Sequence, residues 1–317
     1  MLDVVALGEL LIDFTTVSAD REGYPTMAAH PGGAPANFLA AVTKFGGKTA
    51  LLGKVGTDAF GKLLTGTLQK AGIETRGLVA DEAFFTTLAF VTLDSQGDRE
   101  FSFARKPGAD TRLTFEELDL SLIDEARAFH FGTLSLTDEP ARATTQNAVA
   151  YAKEREKLIS FDPNLRKPLW KDLREAKEQM LWGLTQADVV KISDEEVEFL
   201  FDLDPQAGAS YILDHFGVKL VFVTRGAQGC WFQNRSASGQ VPSLTGAHVV
   251  DTTGAGDIFG GSAMWCLLQK NKAPEDLCEA ELRETVRFAC TAAGLSTQIP
   301  GGISSVPSLQ EVRERLK

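Results

Sequence analysis

Residues 251–257, with the sequence Asp-Thr-Thr-Gly-Ala-Gly-Asp, combine small residues, a flexible backbone and a carboxylate at a predicted helix start. The apolar residues that follow have helical spacing, so Gly254 and Gly256 lie where the first backbone N–H groups have no partner within the helix. Such an end attracts phosphate, because the helix dipole adds roughly half a positive charge there. Asp257 would repel a phosphate unless it has a chemical task. We interpret that task as general base.

The same segment has a second, structural interpretation. A Gly-Ala-Gly-Asp sequence is also typical of a glycine-rich helix start, in which an acid in the first turn stabilises the helix. The spacing of these residues does not separate the two interpretations, so other parts of the chain must decide between them.

Three other catalytic or nucleotide-binding motifs can be tested by counting residues, and all three fail. A P-loop would need glycine where Val42 stands, ahead of the Gly-Lys-Thr that begins at Gly47. A dinucleotide-binding fingerprint would need a third glycine where Phe259 stands. The Gly-x-Ser-x-Gly elbow of serine hydrolases is absent from the sequence. A dinucleotide-dependent oxidoreductase is therefore disfavoured.

The composition is that of a folded protein with small-molecule ligands. The chain has 317 residues, of which 44% are hydrophobic and 24% charged, enough for one large α/β domain or two smaller ones. A formal net charge of −11 argues against nucleic acid or a membrane surface as partner, since their phosphates would be repelled. Any anionic ligand must be held by local groups.

The cysteines and the N-terminal residues indicate a reducing compartment. The four cysteines lack metal-site spacing and are interpreted as reduced thiols; they are Cys230, Cys266, Cys278 and Cys290. The first residues do not have the pattern of a signal peptide, and no apolar stretch approaches the roughly twenty residues that span a bilayer. We expect a cytoplasmic protein.

Predicted strands alternate with predicted helices along most of the chain. Strands are expected at residues 4–7, 49–55, 128–133, 158–161, 189–192 and 220–223, with helices at 34–45, 60–70, 141–156 and 282–295. This alternation predicts an α/β protein with a doubly wound, mostly parallel sheet and helices on both faces. In such sheets, ligands bind at the carboxyl ends of the strands.

Residues 84–93 and 99–104 break this alternation, because they are β-rich runs joined by a short turn at residues 94–98. We therefore expect a small antiparallel β layer, which we call the lid, formed by segments around residues 10–30 and 84–108. It is carried by a single domain of residues 1–317, and Asp13 is expected at a sheet edge. An exposed lid edge tends to be covered, which predicts a homodimer through the lid.

Two sequence signatures carry a family resemblance. Residues 251–259 resemble the C-terminal signature of the ribokinase-like (PfkB) family of carbohydrate kinases. Residues 32–37, Gly-Gly-Ala-Pro-Ala-Asn, and 53–61, Gly-Lys-Val-Gly-Thr-Asp-Ala-Phe-Gly, are similar to the N-terminal signature. The resemblance runs from Gly8 to about residue 307 and favours the functional interpretation of Asp257.

The resemblance implies transfer of a phosphoryl group from ATP, with Mg²⁺, to the primary hydroxyl of a sugar. Asp257 would be the base, and the transferring group would be stabilised by the backbone amides of Gly254, Ala255 and Gly256. Implied sugar contacts are Asp13, Gly32, Gly33, Asn37, Arg105 and Arg166. Implied nucleotide contacts are Ser193, Thr224, Gly226 and Gly229. Glu196 would organise Mg²⁺ through water, and a monovalent cation such as K⁺ is implied at Asp251, Thr253, Ser296, Ile299, Gly301 and Ser305.

Ser193 and Glu196 also fit another pattern. Ser-x-x-Glu before an apolar run is a helix capping box, and the family usually has asparagine at the first position. Both interpretations can hold at once.

Two sugars are candidate substrates, and a sugar sensor without activity is an alternative to the kinase function. Residues 105–110, 129–133 and 162–170 resemble fructokinases, which implies D-fructose phosphorylated at O6. Kinases of 2-keto-3-deoxygluconate share much of this pattern, and the forked guanidinium groups of Arg105 and Arg166 would suit an acid substrate. A catalytically retired sugar sensor would show a damaged base or anion loop, and both are intact in the sequence.

Overall fold

The computed structural model describes residues 1–93 and 99–317. The turn predicted at residues 94–98 lies outside the described residues. The strands are β1 Leu2–Leu7, β2 Leu11–Ala19, β3 Pro25–Gly32, β4 Thr49–Gly56, β5 Leu78–Asp81, β6 Leu88–Leu93, β7 Arg99–Ala104, β8 Ala126–Gly132, β9 Leu158–Asp162, β10 Val189–Ser193, β11 Leu220–Thr224, β12 Cys230–Asn234 and β13 Ser238–Val241. The helices are α1 Ala34–Lys44, α2 Ala59–Ala71, α3 Ser121–Glu125, α4 Ala141–Glu154, α5 Leu173–Gln186, α6 Asp194–Phe201, α7 Pro205–Phe216, α8 Ala255–Lys270, α9 Glu279–Ser296 and α10 Leu309–Leu316.

The main sheet has nine strands within the described residues, in the order β13-β12-β11-β10-β9-β8-β1-β4-β5. The strands from β11 to β5 pair in parallel, and β12 and β13 add an antiparallel hairpin at one edge. Parallel strands are buried on both faces, which is why they are nearly continuous apolar runs in the sequence. The predicted doubly wound, mostly parallel sheet is confirmed.

Alternate side chains of one strand enter two different cores. Val4 and Ala6 of β1 pack into a core with α1, α8 and α9, while Val5 and Leu7 pack into a second core with α4, α5 and α7 on the opposite face. The alternation follows from the two-residue repeat of a strand. Helices therefore cover both faces of the sheet, as predicted.

The smaller sheet has the order β3-β2-β6-β7. It is built from the two segments predicted to form the lid, with antiparallel β2–β3 and β6–β7 pairs. The central β2–β6 pair is parallel. One expectation is wrong: β2 lies between β3 and β6, so Asp13 is on an inner strand and not at a sheet edge. The residue is at the start of β2, where the chain has just left the main sheet.

The helix ends show why these segments begin and stop where they do. Asp58 caps α2 by accepting hydrogen bonds from the N–H groups of Phe60 and Gly61, and Gly72 ends it in the left-handed conformation that favours glycine. Among the described residues, no helix combines the length and the apolar character that crossing a bilayer would require.

Candidate active site

Helix α8 begins at the predicted anion loop. Gly254 precedes its first residue with φ 74°, in the left-handed region, and Ala255 starts the helix. A Cβ atom on Gly254 would lie 3.0 Å from both Asn37 Nδ2 and Gly302 Cα, so the position lacks room for a side chain as well. The N–H of Ala255 donates a long hydrogen bond of 3.3 Å to the carbonyl oxygen of Thr252. Stabilisation of a phosphoryl group by the amides of Gly254, Ala255 and Gly256 stays a prediction.

Two asparagine side chains hold the two carboxylate oxygens of Asp257. Asn37 Nδ2 donates to Asp257 Oδ2 at 2.9 Å, and Asn164 Nδ2 donates to Oδ1 at 3.3 Å. Asp257 is 8% exposed, and this burial raises its pKa. The Asn37 hydrogen bond and the charges of Lys191 and Arg166 act in the opposite direction. Because both amides donate, the geometry favours the ionised carboxylate that a general base requires.

Asn37 connects this carboxylate with the sugar positions predicted from the sequence. It lies in the first turn of α1, is 3% exposed, and its Oδ1 has no hydrogen-bond partner within the described part of the chain. A Cβ atom on Gly302 would lie 2.1 Å from this oxygen, so glycine is required beside it. Asn37 therefore offers an acceptor next to the base.

Asp13 faces the same region from the smaller sheet. It is half-buried, and a Cβ atom on Gly32 would lie 2.1 Å from its Oδ2. Limited access to water raises the pKa of Asp13 to about 6; the Arg166 charge opposes this, and the Asp257 and Asp251 charges add to it. Because the charges of Arg166 and Asp257 both affect the pKa of Asp13, the three residues form one electrostatic cluster.

Gly33 makes the turn between β3 and α1 possible. Its φ is 116°, and a Cβ atom there would lie 2.4 Å from the carbonyl oxygen of Glu9. The Glu9 carboxylate accepts a hydrogen bond of 2.8 Å from the N–H of Ala34 at the helix start. The predicted glycine turn thus sets the direction in which α1 presents Asn37.

Arg105 lies in a buried network and is 4% exposed. Its Nε donates to Asp110 at 2.8 Å, and its two terminal nitrogens donate to Thr137 Oγ1 at 2.7 Å and to the Leu134 carbonyl oxygen at 2.8 Å. Turning the guanidinium toward a ligand would break these bonds. The sugar contact of Arg105 stays a prediction, and the structure gives this residue a role at the base of β7.

Ser193 and Glu196 form the capping box of α6. Ser193 Oγ accepts from the N–H of Glu196 at 3.2 Å, and Glu196 Oε2 accepts from the N–H of Ser193 at 2.8 Å. Glu196 Oε1 accepts from the N–H of Leu165 at 2.7 Å. The capping interpretation is confirmed, and the carboxylate also joins α6 to the loop after β9.

The predicted nucleotide residues lie at the carboxyl ends of neighbouring strands. Ser193 ends β10 and Thr224 ends β11, and the two are register partners. Gly226 and Gly229 follow in a short 3₁₀ turn with φ 48° and 92°. Parallel sheets of this type bind ligands at this edge, and the nucleotide contacts of the four residues stay a prediction.

The residues predicted to hold a monovalent cation lie on two segments joined by Asp251. Its Oδ1 accepts from the N–H and the hydroxyl of Thr253 at 2.9 and 2.7 Å, and its Oδ2 accepts from the N–H of Gly301 at 2.9 Å. The other members of the set lie on or beside the second segment: Ser296, Ile299 and Ser305. Asp251 therefore fixes the backbone whose carbonyl groups would be the ligands.

Three residues near Asp257 were not predicted from the sequence as site residues: Asp162, Asn164 and Lys191. Lys191 forms an ion pair with Asp162 at 3.0 Å, and Asp162 accepts from the N–H of Asn164, which in turn contacts Asp257. A lysine within the apolar strand β10 was a signal that could have been used. Burial raises the pKa of Asp162, and the charge of Lys191 acts in the opposite direction.

A sequence model described as pfkB family carbohydrate kinase matches residues 1–309 of the chain. The chain belongs to the pfkB family of carbohydrate kinases. This kinase is 43% identical to Fructokinase-2 of Solanum lycopersicum over 321 residues, which cover 99% of the chain and 96% of the relative. The family resemblance inferred from the two signatures is confirmed.

Solved structures agree with the kinase fold. A fructokinase from Xylella fastidiosa with bound ATP is 30% identical and superposes with a TM-score of 0.91, covering 100% of this chain and 98% of the other. A double mutant of the fructokinase from Vibrio cholerae O395, bound to fructose, ADP and potassium, is 29% identical with a TM-score of 0.87 and coverages of 100% and 99%.

Proposed function

We propose that this kinase transfers the γ-phosphoryl group of ATP to the primary hydroxyl of a ketohexose, converting D-fructose to fructose 6-phosphate. The observation that carries the proposal is the position of Asp257. It is a buried carboxylate in the first turn of α8, held by Asn37, and it shares a cluster with Asp13. The named relatives that act on fructose or hold it support the same substrate.

The residues divide the reaction between them. Asp13 and the free oxygen of Asn37 would accept hydrogen bonds from sugar hydroxyls, and Asp257 would take the proton of the reacting hydroxyl. The oxygen of that sugar hydroxyl forms a bond to the γ-phosphorus as the bond from phosphorus to the ADP oxygen breaks. The amides at the start of α8 would stabilise the charge of the phosphoryl group in transit.

A divalent metal would bind at this site only together with the phosphates of the nucleotide. Within the described residues, no group of three or more His, Cys, Asp or Glu side chains could hold a metal ion. Mg²⁺ commonly keeps several waters and binds substrate phosphates plus one or two carboxylates. Glu196 would supply that carboxylate, and bound Mg²⁺ would neutralise charge on the phosphates. We propose K⁺ as the monovalent cation between the segments joined by Asp251.

The network around Arg105 favours fructose over 2-keto-3-deoxygluconate. Its guanidinium is committed to Asp110, Thr137 and the Leu134 carbonyl group, so a bidentate clamp on a substrate carboxylate would leave those partners unpaired. Only Arg166 would then remain beside the sugar positions to meet an acid.

A coupled assay of ADP release on both sugars tests the proposal. We expect turnover of fructose with Mg·ATP and little or none of the keto acid. Turnover of the keto acid alone would reverse the substrate assignment. Absence of ADP release across a sugar panel, despite measurable sugar binding, would point instead to a sensor.

We further propose that residues 1–317 act as one kinase domain in a cytoplasmic homodimer. The smaller sheet ends in β3 and β7, and the exposed side chains of Val17 and Tyr24 lie on or beside its strands. The described cysteines are all free thiols, which suits a reducing compartment.

A further inference from the structure

A buried ion pair lies behind Asp257, and the reaction steps above give it no role. Lys191 Nζ lies 3.0 Å from Asp162 Oδ2 and 3.3 Å from Oδ1, and the two side chains are 13% and 7% exposed. Below the pair is a small cavity closed by Phe38, Phe222 and Met264. Taking both charges out of water is costly, so the pair is weak evidence for stability and invites a functional explanation.

A chain of contacts leads from this pair to the base. Asp162 Oδ1 accepts from the N–H of Asn164 at 3.2 Å, and Asn164 Nδ2 donates to Asp257 Oδ1. Asn164 has a φ of 46°, in the left-handed region that asparagine tolerates better than most residues. Asp162 thus fixes the backbone conformation that aims the Asn164 amide at Asp257.

Lys191 also lies directly against the anion loop. A Cβ atom on Gly256 would lie 3.0 Å from Lys191 Nζ. The ammonium group is therefore close to the start of α8 without a side chain between them.

The charges that face Asp257 come from five separate parts of the fold. The acids are Asp13 on β2, Asp162 on β9 and Glu196 on α6, and the cations are Lys191 on β10 and Arg166 after β9. The acids outnumber the cations, and an opposite charge favours the ionised form of a carboxyl group. Loss of one cation should therefore have a large effect on the base.

We propose that Lys191 and Asp162 are positioning residues for the phosphoryl transfer: Asp162 orients Asn164 against Asp257, and Lys191 keeps Asp257 ionised until the sugar hydroxyl gives up its proton. The inference rests on the proposed function. Both residues act through Asn164 and the start of α8.

The test measures kcat against pH at saturating fructose and Mg·ATP, because kcat reports groups in the substrate complex, where Asp13 is already engaged by sugar. In Lys191→Met, we expect the acid limb to move to higher pH and kcat at about pH 7 to fall on the order of tenfold, since an opposite charge nearby lowers a carboxyl pKa by about 1–3 units. In Asp162→Asn, the amide oxygen can still accept from the N–H of Asn164, while one negative charge near Asp257 is lost. The acid limb should therefore move to lower pH.

Lys54→Met is the matched control. Lys54 is another buried lysine of the main sheet, paired with Asp81 at 2.8 Å and Glu117 at 2.7 Å, and it has no contact with the cluster. Its loss should lower stability and leave the acid limb in place. An unmoved limb in Lys191→Met, or the same shift in Lys54→Met, would overturn the inference.

If Lys191→Met does not fold, the proposal is judged by the direction in which the acid limb of the pH profile moves in Asp162→Asn. A shift to higher pH, or no shift, contradicts the proposal. Failure of the unaltered enzyme to phosphorylate fructose would instead contradict the proposed function, before any variant is compared.

Discussion

Asp257 is a buried carboxyl group, and the proposed reaction requires it to be ionised. Its two oxygens accept hydrogen bonds from Asn37 and Asn164, which fixes the plane of the carboxylate. A neutral carboxyl group would accept one of these bonds through its hydroxyl oxygen, which is the weaker acceptor, so the two donors favour the charged form. The orientation and the charge of the base therefore have the same origin.

Asp257→Asn should lower kcat by about 10²–10⁴-fold, the usual contribution of a general base, while the affinity for Mg·ATP changes little. Activity is measured by coupled ADP release and nucleotide affinity by calorimetry. Near-normal turnover in this variant would remove Asp257 from the role of base.

Sugar affinity should depend on the ionisation of Asp13. The pKa of Asp13 is raised to about 6 by its limited contact with water, and only the charged form accepts hydroxyl donors with both oxygens. Fructose should therefore bind more weakly as the pH falls through about 6, by up to about tenfold per unit. Calorimetric titration of the nucleotide-free enzyme measures this. Asp13→Asn is the control and should show weak affinity without this dependence; equal affinity at low and high pH in the unaltered enzyme would contradict the prediction.

The sequence pointed to Asp257 and the loop before it but not to the residues behind them. Asp257 and Asn37 belong to signatures that can be read as strings of letters, although they are 220 residues apart. Lys191, Asp162 and Asn164 are ordinary residue types near strand ends, and their contacts depend on which strands are neighbours. Arg105 is a different case, because its sugar contact stays a prediction while the fold has buried the side chain.

At the scale of elements, the site depends on a close crossing of α1 and α8. Gly261 on α8 has no space for a side chain, since a Cβ atom there would lie 2.2 Å from the carbonyl oxygen of Phe38 on α1. These two helices carry Asn37 and Asp257. Their separation therefore sets the distance between Asn37 and Asp257.

Gly261→Ala should lower the free energy of unfolding by about 1–3 kcal/mol, the usual cost of overpacking, and should also lower kcat because the two helices are pushed apart. Gly66→Ala is the control, since Gly66 lies on α2 with nothing within 4 Å of a new Cβ atom. That variant should gain about 0.5–1 kcal/mol. Urea unfolding compares the two, and an equal effect would contradict the crossing argument.

A helix or strand could be predicted where its sequence had a recognisable pattern. The parallel strands were found because they are apolar runs, and α2, predicted at residues 60–70, ends next to Gly72. Helices α5, α7 and α10 were not delimited, because their exposed faces are polar and their apolar positions are few. The parallel β2–β6 pair was not foreseen, since it joins segments more than seventy residues apart.

At the scale of the whole molecule, the proposed dimer would form through the smaller sheet. We expect a dimer in sedimentation experiments, and Val17→Lys should raise its dissociation constant by at least about tenfold, or 1.4 kcal/mol, because a charge would be placed in the contact. Leu173→Lys on α5 is the control, since Leu173 is 42% exposed and lies away from the smaller sheet. An unaltered chain that sediments as a monomer would exclude the dimer.

The paired amides on Asp257 also bear on what the enzyme does with ATP when no sugar is bound. A water molecule entering the cleft would find the base already engaged by Asn37 and Asn164. Such a water could use only the remaining lone pairs of the carboxylate and would lack the contacts that a sugar would make with Asp13, so it would be poorly oriented for attack. The arrangement should therefore suppress wasteful hydrolysis of ATP. Asn37→Ala should raise the ratio of sugar-independent to sugar-dependent ADP release.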